Sequence, residues 1–126
     1  MKKIKLFIVD DDVLLTEMLV DYLQDAFPYF NIRSFATGEE CLQHLDESPD
    51  IVVLDYYLNS REKEAANGID ILKEIKNLDK SLPVVMLSSQ KNFSVAAQSI
   101  QYGAVHYVVK GQKAFGEVRQ IISANV

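Results

Sequence analysis

Four short, almost unbroken apolar runs constrain this chain more than any other feature: Leu6-Phe7-Ile8-Val9, Ile51-Val52-Val53-Leu54, Val84-Val85-Met86-Leu87 and Tyr107-Val108-Val109. A strand that is apolar at consecutive positions has no face to give to water, so it suits the middle of a parallel sheet covered on both sides by helices. A fifth run, Asn31 to Phe35, alternates polar and apolar as an edge strand does. Helical spacing fills the intervals. Leu14, Leu15, Met18, Leu19, Tyr22 and Leu23 recur every three or four residues until Pro28 closes the stretch, and Ile71, Leu72, Ile75 and Leu78 do so before Pro83. Phe115, Val118, Ile121 and Ile122 repeat the pattern near the C-terminus. Cys41, Leu42 and Leu45 fit a helix after Thr37, and Val95 to Tyr102 runs free of breakers until Gly103. Strict alternation of five strands and five helices predicts an α/β fold, a doubly wound five-stranded parallel sheet with right-handed crossovers.

At 126 residues the expectation is one domain, residues 1–126, around one hydrophobic core. The net charge of −5 and pI of about 4.9 give a field that repels polyanions, which argues against direct binding of nucleic acid. Met1-Lys2-Lys3 leads into too short an apolar run for a secretory signal, and no stretch is long enough to cross a bilayer. A cytoplasmic protein without membrane attachment is the expectation. Cys41 lies among apolar helix positions and reads as core, and His44 as a surface or half-buried helix residue. The mixed charges of Arg61-Glu62-Lys63-Glu64 suit a solvated segment.

In open parallel sheets the functional site lies at the carboxyl ends of the strands. The residues found there are Asp10-Asp11-Asp12, Asp55, Ser88-Ser89 and Lys110. Carboxylates crowded together repel one another unless a cation joins them, and an all-oxygen set suits Mg²⁺. A hydroxyl and a lysine complete a set fitted to a phosphoryl group, whose transfer depends on positioning and charge neutralisation. Singly, each residue has a plainer role. Asp12 caps the helix that starts at Val13, Ser88 suits a turn, Lys110 a solvated surface, and Tyr107 a core aromatic with its hydroxyl at the rim. The order of acids, acid, hydroxyl and lysine along successive strand ends is what favours the functional reading.

On these residues the chain resembles the receiver domains of bacterial response regulators over essentially its whole length. The resemblance is carried by Phe7-Ile8-Val9-Asp10-Asp11-Asp12, Val52-Val53-Leu54-Asp55, Val85-Met86-Leu87-Ser88-Ser89 and Gly103-Ala104-Val105-His106-Tyr107-Val108-Val109-Lys110. It implies the flavodoxin-like strand order 2-1-3-4-5, with Asp55 as the phosphorylated residue. Asp10, Asp11, Asp55 and the backbone carbonyl of Tyr57 would hold Mg²⁺. Ser88 and Lys110 would engage the phosphoryl oxygens, and Ser88 and Tyr107 would form the switch. The implied partners are a histidine kinase or phosphotransfer protein, and an output domain, partner or second copy of the chain at the face of the fourth helix, fifth strand and fifth helix, near Gln98, Gln101, Tyr102 and Lys113.

The chain departs from the family pattern in three places, the simplest being Ser88 where threonine is commoner, which keeps the hydroxyl and loses a methyl. Tyr56-Tyr57-Leu58-Asn59 follows the acceptor and Gly68 comes only after a polar stretch, which predicts a long, mobile and polar loop from Asn59 to Asn67. Gly111 stands where a proline is usual, and a cis peptide without proline is costly. Three rivals compete with this reading. Asp10-x-Asp12 also fits the nucleophile motif of haloacid-dehalogenase-type phosphatases, but Glu117 is the only later acid and Asp55 would have no task. A flavodoxin-like cofactor binder needs a glycine- and hydroxyl-rich phosphate loop where three aspartates stand. A receiver-like adaptor that is never phosphorylated would not need the acids, hydroxyl and lysine together.

Overall fold

The computed structural model describes residues 3–58, 67–89 and 91–126. The elements alternate as expected: β1 (Lys5–Val9), α1 (Val13–Ala26), β2 (Asn31–Phe35), α2 (Gly38–Gln43), β3 (Ile51–Asp55), α3 (Gly68–Leu78), β4 (Val84–Ser88), α4 (Phe93–Gln101), β5 (His106–Val109) and α5 (Ala114–Asn125). All strand pairs are parallel and the order across the sheet is β2-β1-β3-β4-β5.

The one core expected from the chain length is instead divided by the sheet into two, because period-two alternation sends strand side chains to both faces. Phe7, Val9, Val52, Leu54, Val84 and Met86 point to one face, where they meet Ile71, Leu72 and Ile75 of α3 and Cys41 of α2. Leu6, Ile8, Ile51, Val53, Val85 and Leu87 point to the other, against Leu19 and Leu23 of α1 and Val118 and Ile122 of α5. Removing each such side chain from water contributes about 1.5–3 kcal/mol, which is why these strands carry no polar residue until their ends.

Helix starts follow local capping chemistry. The side chain of Asp12 accepts from Leu15 N–H, that of Thr37 from Glu40 N–H, that of Asn67 from Asp70 N–H and that of Asn92 from Ser94 N–H. Cys41 is buried in the core and His44 is half-buried, its Nδ1 2.9 Å from the Glu40 carbonyl oxygen.

Two further expectations need correction. Leu45 does not continue α2. The helix ends at Gln43 and Leu45–Glu47 forms a separate 3₁₀ turn that closes with Ser48 in the left-handed region at φ 59°. The Tyr107-Val108-Val109 run, grouped with central strands, belongs to an edge strand in which only Val108 is fully buried; His106 is exposed and Tyr107 and Val109 are half-buried. The expected polar loop lies, except for Asn67, outside the described residues, as does the Arg61 to Glu64 segment. Among the described residues no peptide bond is cis, so Lys110–Gly111 is trans.

Candidate functional site

The register brings the polar strand ends together. Val9 is paired with Leu54, Asp55 with Leu87 and Ser88 with Val109, so the ends of β1, β3, β4 and β5 lie along one edge of the sheet. Two backbone hydrogen bonds extend the ladder beyond the strands. Asp10 N–H donates to the Phe35 carbonyl (3.1 Å) and Lys110 N–H to the Ser88 carbonyl (2.8 Å). The first fixes where the acid run leaves β1, and the second fixes Lys110 beside β4.

Asp10 and Asp55 are 4% and 3% exposed, Asp11 is buried as well, and Ser88 is fully enclosed. One carboxylate oxygen from each of Asp10, Asp11 and Asp55 lies within 4.8 Å of the others. Asp12 N–H donates to Oδ1 of Asp10 (2.9 Å), while Asp12 itself is exposed and serves the helix. The first two acids thus turn inward and the third turns to α1, the division expected from the sequence.

Lys110 supplies the local positive charge. Its Nζ lies 3.1 Å from Oδ2 of Asp10 and 3.5 Å from Oδ1 of Asp55. Neither contact has hydrogen-bond alignment, and these two buried oxygens accept no hydrogen bond from any described residue. Burial pushes the Asp55 carboxyl up and the Asp10 charge pushes it further. Lys110 and the Tyr57 backbone N–H pull it back, and the balance leaves it at about 7 against an ordinary 3.8. Burial alone would lower the Lys110 ammonium, but the charges of Asp55 and Asp10 outweigh it and hold the lysine above its usual value. One ammonium facing this many carboxylates leaves the cluster short of positive charge. Two buried oxygens that face one shared ammonium and accept no hydrogen bond, in an all-oxygen donor set, fit a hard divalent cation.

Three phenols lie close enough to act on one another beside Asp55. The rings of Tyr56 and Tyr57 meet edge to face at 4.8 Å between centroids. Tyr107 is half-buried, and its hydroxyl is held above the ordinary tyrosine value by burial; hydrogen bonding with Ser88 opposes this, while Tyr57, Tyr56 and Asp55 reinforce it.

Asp10, Asp11, Asp55, Ser88 and Lys110 therefore share one sheet edge, while Tyr107 stands earlier in β5, opposite Met86. Tyr57, expected to contribute its carbonyl, is placed by its N–H toward Asp55. The sequence reading gave no role to Gly68. Its N–H donates to the Tyr56 carbonyl (2.8 Å), and a Cβ on it would stand 2.3 Å from the Asp55 carbonyl oxygen and 2.7 Å from Tyr56 Cα. The start of α3 thus lies directly against the backbone at the end of β3. An asparagine cap followed by glycine was the available signal.

A parallel α/β sheet with a buried acid cluster, a hydroxyl and a lysine at its carboxyl edge defines a class of strand-end anion and cation sites. Comparison with known proteins narrows the class: residues 6–122 match the response regulator receiver domain, and the chain belongs to that family. The protein-glutamate methylesterase/protein-glutamine glutaminase of Clostridium acetobutylicum is 31% identical over 91% of this chain and 33% of its own length. The transcriptional regulatory protein CpxR of Klebsiella pneumoniae is 33% identical over 84% of this chain and 42% of its own. The chain thus spans a third to less than half of these relatives. The crystal structure of the receiver domain of NtrX from Brucella abortus superimposes with a TM-score of 0.79, at 27% identity, covering 94% of each chain.

Among the described residues no helix is long and apolar enough to cross a membrane.

Proposed function

We propose that this chain is a single receiver domain that accepts a phosphoryl group on Asp55, with Mg²⁺ held by Asp10, Asp11, Asp55 and the carbonyl of Tyr57, and works in the cytoplasm as a signalling acceptor. The observation that carries the reading is the under-compensated cluster: two buried carboxylate oxygens without an aligned donor beside a single ammonium. An Asp55 oxygen attacks the phosphorus of a phosphohistidine or small acyl phosphate; the new O–P bond forms as the donor's P–N or P–O bond breaks. Lys110 neutralises charge on the transferred group and the Ser88 hydroxyl donates to one of its oxygens. The metal, when bound, offsets the negative charge gathered on the carboxylates and the phosphoryl oxygens.

The donor is a histidine kinase or phosphotransfer protein. A groove of about 790 Å³ between α1 and α5 supports a protein donor, because Gly111 in its lining follows directly on Lys110, and Met18, Tyr22 and Phe115 give it apolar walls. Val13 and Leu14 stand exposed beside the acids at the start of α1. Once phosphorylated, Asp55 draws on Ser88, and Tyr107, which shares a hydrogen bond with Ser88, carries the change to the face of α4, β5 and α5. That face meets an output domain, a partner or a second copy. Phe93 and Ile100 of α4 are 93% and 51% exposed and offer apolar contact there.

The test is incubation with acetyl phosphate followed by intact-mass measurement. One phosphoryl group is expected with Mg²⁺ and none without it, and the labelled protein should show amide shifts from Ser88 through Lys113. No gain of mass with the metal present would leave the adaptor reading in its place.

The metal reading makes a separate prediction. Asp11→Ala should weaken Mg²⁺ binding by about tenfold or more, while Asp12→Ala should leave it nearly unchanged and cost about 1 kcal/mol of stability through the lost cap. Titration of both variants checks the division, and equal losses of affinity would contradict it.

A further inference from the structure

Two independent structural demands meet at neighbouring residues. Position 67 must cap α3, and the Asn67 side-chain carbonyl does so by accepting from Asp70 N–H at 3.0 Å. Position 68 must lack a side chain, because a Cβ there would run into the backbone of Asp55 and Tyr56. Together they write Asn-Gly, the dipeptide in which a backbone nitrogen has the least hindered access to a side-chain amide carbon.

We infer that Asn67 is a deamidation site held in check by the docking of α3 on β3, so that opening of this junction exposes the chain to a slow, irreversible modification next to the acceptor. The Gly68 nitrogen attacks Cγ of Asn67, the Cγ–Nδ2 bond breaks, and ammonia leaves with the proton from the Gly68 amide. Water then opens the resulting succinimide at either carbonyl, giving aspartate or isoaspartate. In the folded chain both partners are engaged elsewhere. Gly68 N–H donates to the Tyr56 carbonyl at 2.8 Å, and the Asn67 amide is oriented by Asp70 N–H. Attack requires both bonds to break, so the rate follows the population in which the start of α3 has lifted away. Isoaspartate would lengthen the main chain by one methylene where Gly68 is wedged against Asp55, so the modified helix cannot return to its place. Asn92-Phe93 and Asn77-Leu78 set a bulky residue after the asparagine, which hinders the same attack and makes it slower there.

The experiment incubates the whole chain at mildly alkaline pH, native and in denaturing urea, and follows the tryptic peptide ending at Lys73 by mass spectrometry. Deamidation at Asn67 is expected in urea, and at least about tenfold more slowly in the native chain, in line with the protection given by a closed local structure. The isoaspartate form, separated by chromatography and returned to native buffer, should melt at a lower temperature than the unmodified chain. Equal rates in the two conditions would overturn the gating, absence of reaction at Asn67 in urea would overturn the site, and an unchanged melting temperature would overturn the claim that the helix cannot return.

Discussion

Asp55→Asn is expected to have two opposite effects: complete loss of phosphoryl uptake from acetyl phosphate, and a metal-free fold that is more stable than the original. The loss follows from removing the attacking oxygen's charge. The gain follows from the position of the carboxyl, which is buried beside Asp10 and has its pKa raised from 3.8 to about 7. A carboxyl whose folded-state pKa lies above its unfolded value binds its proton more tightly when folded. Its stabilising contribution is complete below about pH 4 and is lost as the pH climbs toward 7. The amide has no such dependence. The melting temperatures of the two proteins in EDTA should therefore converge near pH 4 and separate progressively up to about pH 7. At one pKa unit per ~1.4 kcal/mol, and allowing for relaxation of the site, the difference should reach roughly 2–4 kcal/mol, or several degrees. Magnesium should reverse the order, raising the original and scarcely affecting the variant. A difference that stayed constant from pH 4 to pH 8 would mean that the Asp55 charge is not what strains the cluster.

The second large effect concerns Gly68. Alanine there should cost about 3 kcal/mol, because the added methyl would fall 2.3 Å from the Asp55 carbonyl oxygen and 2.7 Å from Tyr56 Cα. Both are main-chain atoms and cannot turn aside as a side chain can. Relief requires α3 to slide off the end of β3 and break the Gly68 N–H to Tyr56 carbonyl bond. Gly111 supplies the control, since a Cβ there meets nothing within 4 Å, and Gly111→Ala should be neutral or slightly stabilising. Denaturant unfolding of the two variants reads the contrast. A cost below about 1 kcal/mol for Gly68→Ala would show that the junction yields easily.

The fold was legible because the strands of a covered parallel sheet must be apolar at every position, and polarity returns only where the chain leaves the core. Asp10, Asp55, Ser88 and Lys110 marked those exits, so the same pattern located the strands and the site. Edge and centre were harder to separate. Tyr107-Val108-Val109 has the composition of a central strand, but Tyr107 and Val109 are only half-covered because, among the described residues, no strand pairs with the far side of β5. The break in α2 was hidden for a related reason: Leu45 keeps the helical spacing of Cys41 and Leu42 and packs against the same cluster, although it has passed into a 3₁₀ turn. Gly68 was visible as a residue but not as a constraint, since a close approach between backbones leaves no trace in hydrophobic patterning. The ammonium midway between Asp10 and Asp55 likewise depends on register, which the linear chain does not display.

The rung from Lys110 N–H to the Ser88 carbonyl limits how this part of the chain can vary in length over evolution. A residue inserted within β5 would move the lysine one step along the pleat and turn its side chain to the opposite face, away from Asp55. Insertions or deletions beyond β4 and before β5 carry no such penalty, because α4 and its flanking turns absorb them without altering the pairing of Ser88 with Val109. Relatives of this chain should thus differ in length around α4 while keeping the four residues from His106 to Val109 intact as a spacer of fixed size.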